Sequence, residues 1–103
     1  MKKTLFKSDK YKKARGGYSR LLQISCEKCN EVICMYQKDG PGILKRIYID
    51  RIIDPKISLT NKSLDCPACN EVLGVRMIYK KEQRQAYRLF AGSIAKKIVN
   101  SQI

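Results

Sequence analysis

Two heptapeptides decide how this chain reads: Cys26-Glu27-Lys28-Cys29-Asn30-Glu31-Val32 and Cys66-Pro67-Ala68-Cys69-Asn70-Glu71-Val72. They share both cysteines and the Asn-Glu-Val that follows. A Cys-x-x-Cys turn brings two sulfurs to one ion, and two such turns close a tetrahedron at about 2.3 Å per zinc–sulfur bond. One such turn is weak evidence, whereas two with matching flanks are strong. Cys26, Cys29, Cys66 and Cys69 are therefore expected to hold one metal ion, zinc ahead of iron. The position after the second cysteine of a tight knuckle usually needs φ > 0, where glycine is common. Here it is Asn30 and Asn70, and asparagine visits the left-handed region at small cost. The same choice in both copies predicts one geometry for both turns. Pro67 fixes a φ suited to the second turn.

Disulfides are the competing use of these thiols. They require an oxidising compartment, no secretory signal is visible, and the cysteine count of 5 is odd. The expected location is the cytoplasm. A four-thiolate site leaves no open position for water or substrate, so the metal would organise the fold. The chain has no histidine, which removes the commonest general base and the usual ligand of open zinc sites.

The 103 residues suit one domain, read here as a β domain over 21–103 with a basic arm over 1–20. A core of that size is thin enough for a metal staple to matter. The formal net charge is +13, from 22 Lys and Arg against 9 Asp and Glu. A polyanion is the simplest partner that offsets such a charge: nucleic acid first, an anionic membrane surface second. No apolar run approaches the roughly 18 residues of a membrane span.

The arm contains 8 basic residues and one acid, Asp9, with no apolar period. It is expected to be disordered or extended in isolation. Lys10, Lys12, Lys13, Arg15 and Arg20, interleaved with Tyr11 and Tyr18, suit phosphate pairing and base stacking. A solvated tail is the plainer alternative. Residues 21–25 and 32–36 read as short strands flanking the first knuckle, followed by the turn Lys38-Asp39-Gly40-Pro41-Gly42. Over 43–53, Ile47, Ile49 and Ile53 alternate onto one face with Arg51 as an exception, while Arg46, Tyr48 and Asp50 take the other. This predicts one strand whose Arg46–Tyr48 side is open to nucleic acid or merely to solvent. Residues 72–79 read as a strand, with Gly74 marking a bulge or a close backbone approach. Residues 87–91 suit the return arm of a hairpin, followed by a short terminal element. Tyr87, Phe90, Ile94 and Ile98 nevertheless recur at helical spacing, so a short C-terminal helix stays open. Lys96-Lys97 adds a positive pair near the end.

Two knuckles, each leading into a strand and separated by an inserted segment, resemble the zinc-ribbon and β-tent families. The resemblance covers about half the chain and rests on Cys26, Cys29, Cys66 and Cys69. It implies a mainly β fold of antiparallel sheets joined at a four-cysteine zinc. The segment 36–50 also looks like a small zinc-ribbon family without assigned activity. The Cys-Pro-Ala-Cys turn resembles a rubredoxin knuckle, which would hold iron, but the aromatic residues of such a core are not evident. In outline the chain is similar to small ribosomal and ribonucleoprotein subunits, a metal-stapled head with a basic arm. The expected function is electrostatic binding of nucleic acid, RNA ahead of DNA, in a ribonucleoprotein assembly. Two rivals stand beside it. A zinc-bearing sheet can dock a protein partner, and some β-tent proteins pair a structural zinc with a reactive cysteine, here Cys34.

Overall fold

The computed structural model describes residue 7 and residues 9–99. Among these are eight strands in two antiparallel four-stranded sheets. Strands β1 (Ser19–Cys26), β2 (Val32–Asp39), β4 (Ile52–Ile53) and β8 (Ile94–Val99) form the first sheet, in the order β4-β2-β1-β8. Strands β3 (Arg46–Tyr48), β5 (Ser63–Asp65), β6 (Val72–Tyr79) and β7 (Arg84–Leu89) form the second, in the order β3-β7-β6-β5. The mainly β class predicted from the sequence is the class observed.

Each sheet is built on a hairpin whose turn is a cysteine knuckle, and the two hairpins match pair for pair. Ser25 faces Val32 in the first and Asp65 faces Val72 in the second, each just past a register shift. One step further out, Ile24 faces Cys34 and Leu64 faces Gly74. Both bulges sit beside the cysteines, where an extra residue bends the strand into the turn. Gly74 is required by a close approach. A Cβ there would lie 2.5 Å from the carbonyl oxygen of Arg88 on β7.

The core lies where the two sheets face each other. Leu22, Ile24, Ile33 and Tyr36 come from the first sheet, and Ile47, Leu64, Leu73 and Tyr87 from the second, all buried. Burying each such side chain contributes about 1.5–3 kcal/mol before chain entropy is subtracted. A polar tie crosses the same interface: the Tyr48 backbone N–H donates to the Tyr36 hydroxyl at 2.9 Å.

One expectation is corrected and two open points are settled by the described residues. Residues 43–53 are not one strand: β3 ends at Tyr48, a 3₁₀ turn spans Ile49–Arg51, and β4 pairs with the other sheet. The interruption falls at Arg51, the residue that broke the alternation, because its guanidinium is buried at 2 % exposure and must reach carboxylates. The C-terminal stretch, left open between strand and helix, is strand: β7 is the return arm of the expected hairpin and the terminal element is β8. Gly92, at φ +73, ends the run after β7, and β8 then pairs with β1 from Leu21↔Val99 to Cys26↔Ile94. Tertiary pairing overrides the helical spacing of Tyr87, Phe90, Ile94 and Ile98. The arm, expected to be disordered or extended in isolation, carries a helix within the fold, α1, over Lys10–Ala14. Its N-cap is Asp9, whose Oδ1 accepts the N–H groups of Tyr11 and Lys12 at 3.1 and 3.2 Å. The arm residues 1–6 and 8 lie outside the described residues.

Candidate metal centre and basic cleft

The two knuckles bring Cys26, Cys29, Cys66 and Cys69 together, with all four sulfurs within 4.8 Å of one another. Sulfurs of opposite knuckles lie 3.7 Å apart (Cys26 and Cys69) and 3.4 Å apart (Cys29 and Cys66). A tetrahedron with metal–sulfur bonds of about 2.3 Å has edges of about 3.8 Å, so the cluster is close to the size a metal ion needs. All five cysteines are free thiols.

The local chain explains the cluster. Asn30 and Asn70 adopt φ of +66° and +64°, the left-handed conformation expected of them. Each knuckle closes through the same two backbone bonds. Cys26 N–H donates to Glu31 O at 2.8 Å and Asn30 N–H to Cys26 O at 2.8 Å; the second copy repeats both at 2.9 Å, Cys66 to Glu71 and Asn70 to Cys66. The Ala68 N–H also donates to the Cys66 sulfur at 3.4 Å.

Electrostatics point to a cation. Burial opposes ionisation of Cys66, but the N–H groups of Cys69 and Ala68 outweigh it and draw the thiol down to about 7. Cys29 behaves in the opposite way. The Glu31 N–H favours its thiolate, yet the adjoining Cys66 sulfur and burial push it up to about 12. One thiolate here makes the next costly, and a divalent cation removes that penalty. The four cysteines fit a zinc-ribbon-like metal site and are arranged to hold one metal ion.

Cys34 lies apart from this cluster. It is buried at 1 % exposure, and burial pushes its thiol up to about 12. It is a packed thiol of the core, without the lowered pKa and access that a nucleophile needs.

The structure divides the expected nucleic-acid residues between two settings. Arg15 is committed inside the molecule: it pairs with Glu82 at 2.9 Å and donates to the Tyr48 hydroxyl at 3.1 Å. Tyr48 is not the open stacking face the alternation suggested. It is buried at 7 % exposure, with the Arg84 guanidinium 3.7 Å from its ring centroid. Arg84 in turn lies 4.1 Å from the Tyr11 ring and pairs with Asp50 at 2.8 Å and Glu82 at 3.1 Å. A second network holds Arg51, which pairs with Asp39 at 2.9 Å and Asp9 at 2.6 Å. Lys10 and Lys13 are exposed on α1, and Lys12 is half-buried there.

Arg46 instead lines an open cleft between the sheets, and Arg20 lines its continuation along the first sheet. One part, of about 930 Å³, runs from Ile94 and Lys96 on β8 across Lys45 and Arg46 to Arg88 and Phe90. An adjoining part, of about 450 Å³, shares Lys96 and continues past Arg20, Lys38 and Ile98. Among the described residues, no acidic side chain lines either part. Lys38 registers the crowding: burial, then the positive charges of Lys96, Arg20 and Arg15, lower its pKa. Sequence reading missed Lys38, Lys45, Arg88 and Phe90, since they lie on separate elements that only the packed fold sets along the cleft. Lys96 was the one visible signal, as half of the Lys96-Lys97 pair.

No protein-family model, curated protein or solved structure matches this chain.

Proposed function

We propose that this is a zinc-stabilised β-tent-like protein that binds nucleic acid, RNA in preference to DNA, within a cytoplasmic ribonucleoprotein assembly. Zinc is taken ahead of iron as the commoner ion of structural four-thiolate sites, although the same donor set also holds iron. Cys26, Cys29, Cys66 and Cys69 would hold it, and its role would be to lock the two hairpins together. The observation that carries the nucleic-acid reading is the distribution of charge. Asp9, Asp39, Asp50 and Glu82 are spent on Arg15, Arg51 and Arg84. The cleft keeps Arg20, Lys38, Lys45, Arg46, Arg88 and Lys96, with no acid among its described lining residues. A groove of one sign attracts a polyanion and releases its counterions, so binding would be salt-sensitive and largely independent of sequence.

Sedimentation of the native protein from lysate, with and without RNase at low salt, tests the assembly. Migration with a large particle and release by RNase is the expected result. A protein that stays at the top of the gradient without RNase is not anchored to RNA. Migration that survives RNase would point instead to a protein partner.

A further inference from the structure

We infer that the cleft between the two sheets is a single-strand site, in which Phe90 stacks on an unpaired base while Arg88 and Lys96 hold the flanking phosphates. This deepens the nucleic-acid reading proposed above and rests on it.

The lining is mixed in a way that a purely electrostatic duplex contact does not need. Phe90 stands at the cleft with 46 % of its surface exposed, and Ile43 on the facing loop with 79 %. Large apolar side chains left open beside cations mark a surface awaiting a partner with both an apolar face and a charge. A nucleotide has both: a base with a π face and a phosphate. Phe90 is held firmly enough to act as a platform. Its backbone N–H donates to Leu73 O at 2.9 Å, and its carbonyl accepts the Ser93 N–H at 3.1 Å. Ser93 Oγ donates to the same Leu73 carbonyl at 2.8 Å, so the turn after β7 is pinned to β6.

Two exposed cations share the cleft lining with Phe90. Arg88 lies two residues before Phe90 on β7, and Lys96 lies two residues beyond Ile94 on β8; both are exposed. The same lining includes Tyr79, but the Arg46 guanidinium covers it, 4.2 Å from the ring centroid. Among the described residues, that leaves Phe90 as the open aromatic face of the cleft. A base-paired duplex presents phosphates but keeps its bases stacked inside, so it can meet the cations and not Phe90.

The test uses the full metal-loaded chain with a labelled single-stranded oligouridine of about ten nucleotides. Two further probes are a duplex of the same length and a base-free ribose-phosphate chain of equal charge. Wild-type protein is expected to bind the oligouridine more tightly than either other probe. Phe90→Ala should weaken oligouridine binding about tenfold and leave the base-free chain unchanged, while Phe90→Trp restores it. Retention of melting temperature and bound metal shows that a variant is folded. Equal oligouridine affinity in Phe90→Ala, with Arg88→Glu still weakening it, would overturn the stacking site and leave the electrostatic reading standing. Failure of wild-type protein to bind any probe at low salt would overturn both.

Discussion

Asn30 and Asn70 show what a single position does in this molecule. Each holds a left-handed φ at the point where the chain must double back to bring two sulfurs together. A β-branched residue cannot reach that conformation without strain. Asn70→Val is expected to cost about 1–2 kcal/mol and Asn70→Gly much less, measured by denaturant unfolding of the metal-loaded protein. Tyr36 is a second such position. Its hydroxyl is buried and accepts the Tyr48 N–H between the sheets. Tyr36→Phe leaves that N–H without a partner and should cost about 1–3 kcal/mol in the same assay. The asparagines could be read in advance because the need for φ > 0 is local. The Tyr36 bond could not, because its donor belongs to a strand of the other sheet.

At the scale of elements, the helix α1 is the clearest case of structure made by distant partners. Five residues form no stable helix alone. Here Asp9 caps the first turn and pairs with the buried Arg51. At the other end, Arg15 pairs with Glu82 on the connection between β6 and β7. Chiefly through its hydrogen bond with Arg51, Asp9 is held down to about 2, against an ordinary 3.8. A carboxylate lowered in the folded state gives stability above its unfolded pKa, and that stability is lost as pH falls through the folded value. The stability difference between wild type and Asp9→Asn should therefore be full above about pH 4 and vanish toward pH 2. Parallel unfolding series of the metal-loaded proteins, taken from neutral pH down to the point where the thiolates release the ion, would check the upper part of that dependence. The strands flanking the knuckles were legible in sequence because apolar residues and turn signals bound them. The arm and the 43–53 segment were not, since their form depends on two ion pairs made across the fold, Asp9 with Arg51 and Arg15 with Glu82. Residues 94–99 stayed ambiguous in sequence for a related reason. Ile94 and Ile98 fit a helical period, and only the open edge of β1 decides for a strand.

For the whole molecule, the two hairpins meet at four cysteines and over one shared core, and the metal site spans both. Removing the ion with a chelator at neutral pH should lower the melting temperature by tens of degrees or abolish the cooperative transition. Re-addition of one equivalent of zinc should restore it. The metal site could be read from sequence alone, since its spacing is its geometry. The basic cleft could not, because Arg20, Lys38 and Lys96 come together only through the pairing of β1, β2 and β8, and Arg88 joins Lys96 only where the second sheet meets the first. Deletion of the arm is a poor probe of that cleft, because Ser19 and Arg20 begin β1 and Asp9 neutralises Arg51. The most direct measurement is the salt dependence of single-stranded RNA binding by the zinc-loaded protein, compared with its Arg88→Glu, Lys96→Glu variant. The account predicts a steep wild-type fall in affinity with salt. It also predicts a logarithmic slope shallower by about 1.4 or more in the variant, at roughly 0.7 for each phosphate no longer neutralised. Equal slopes in the two proteins would contradict it and place any nucleic-acid binding elsewhere on the surface.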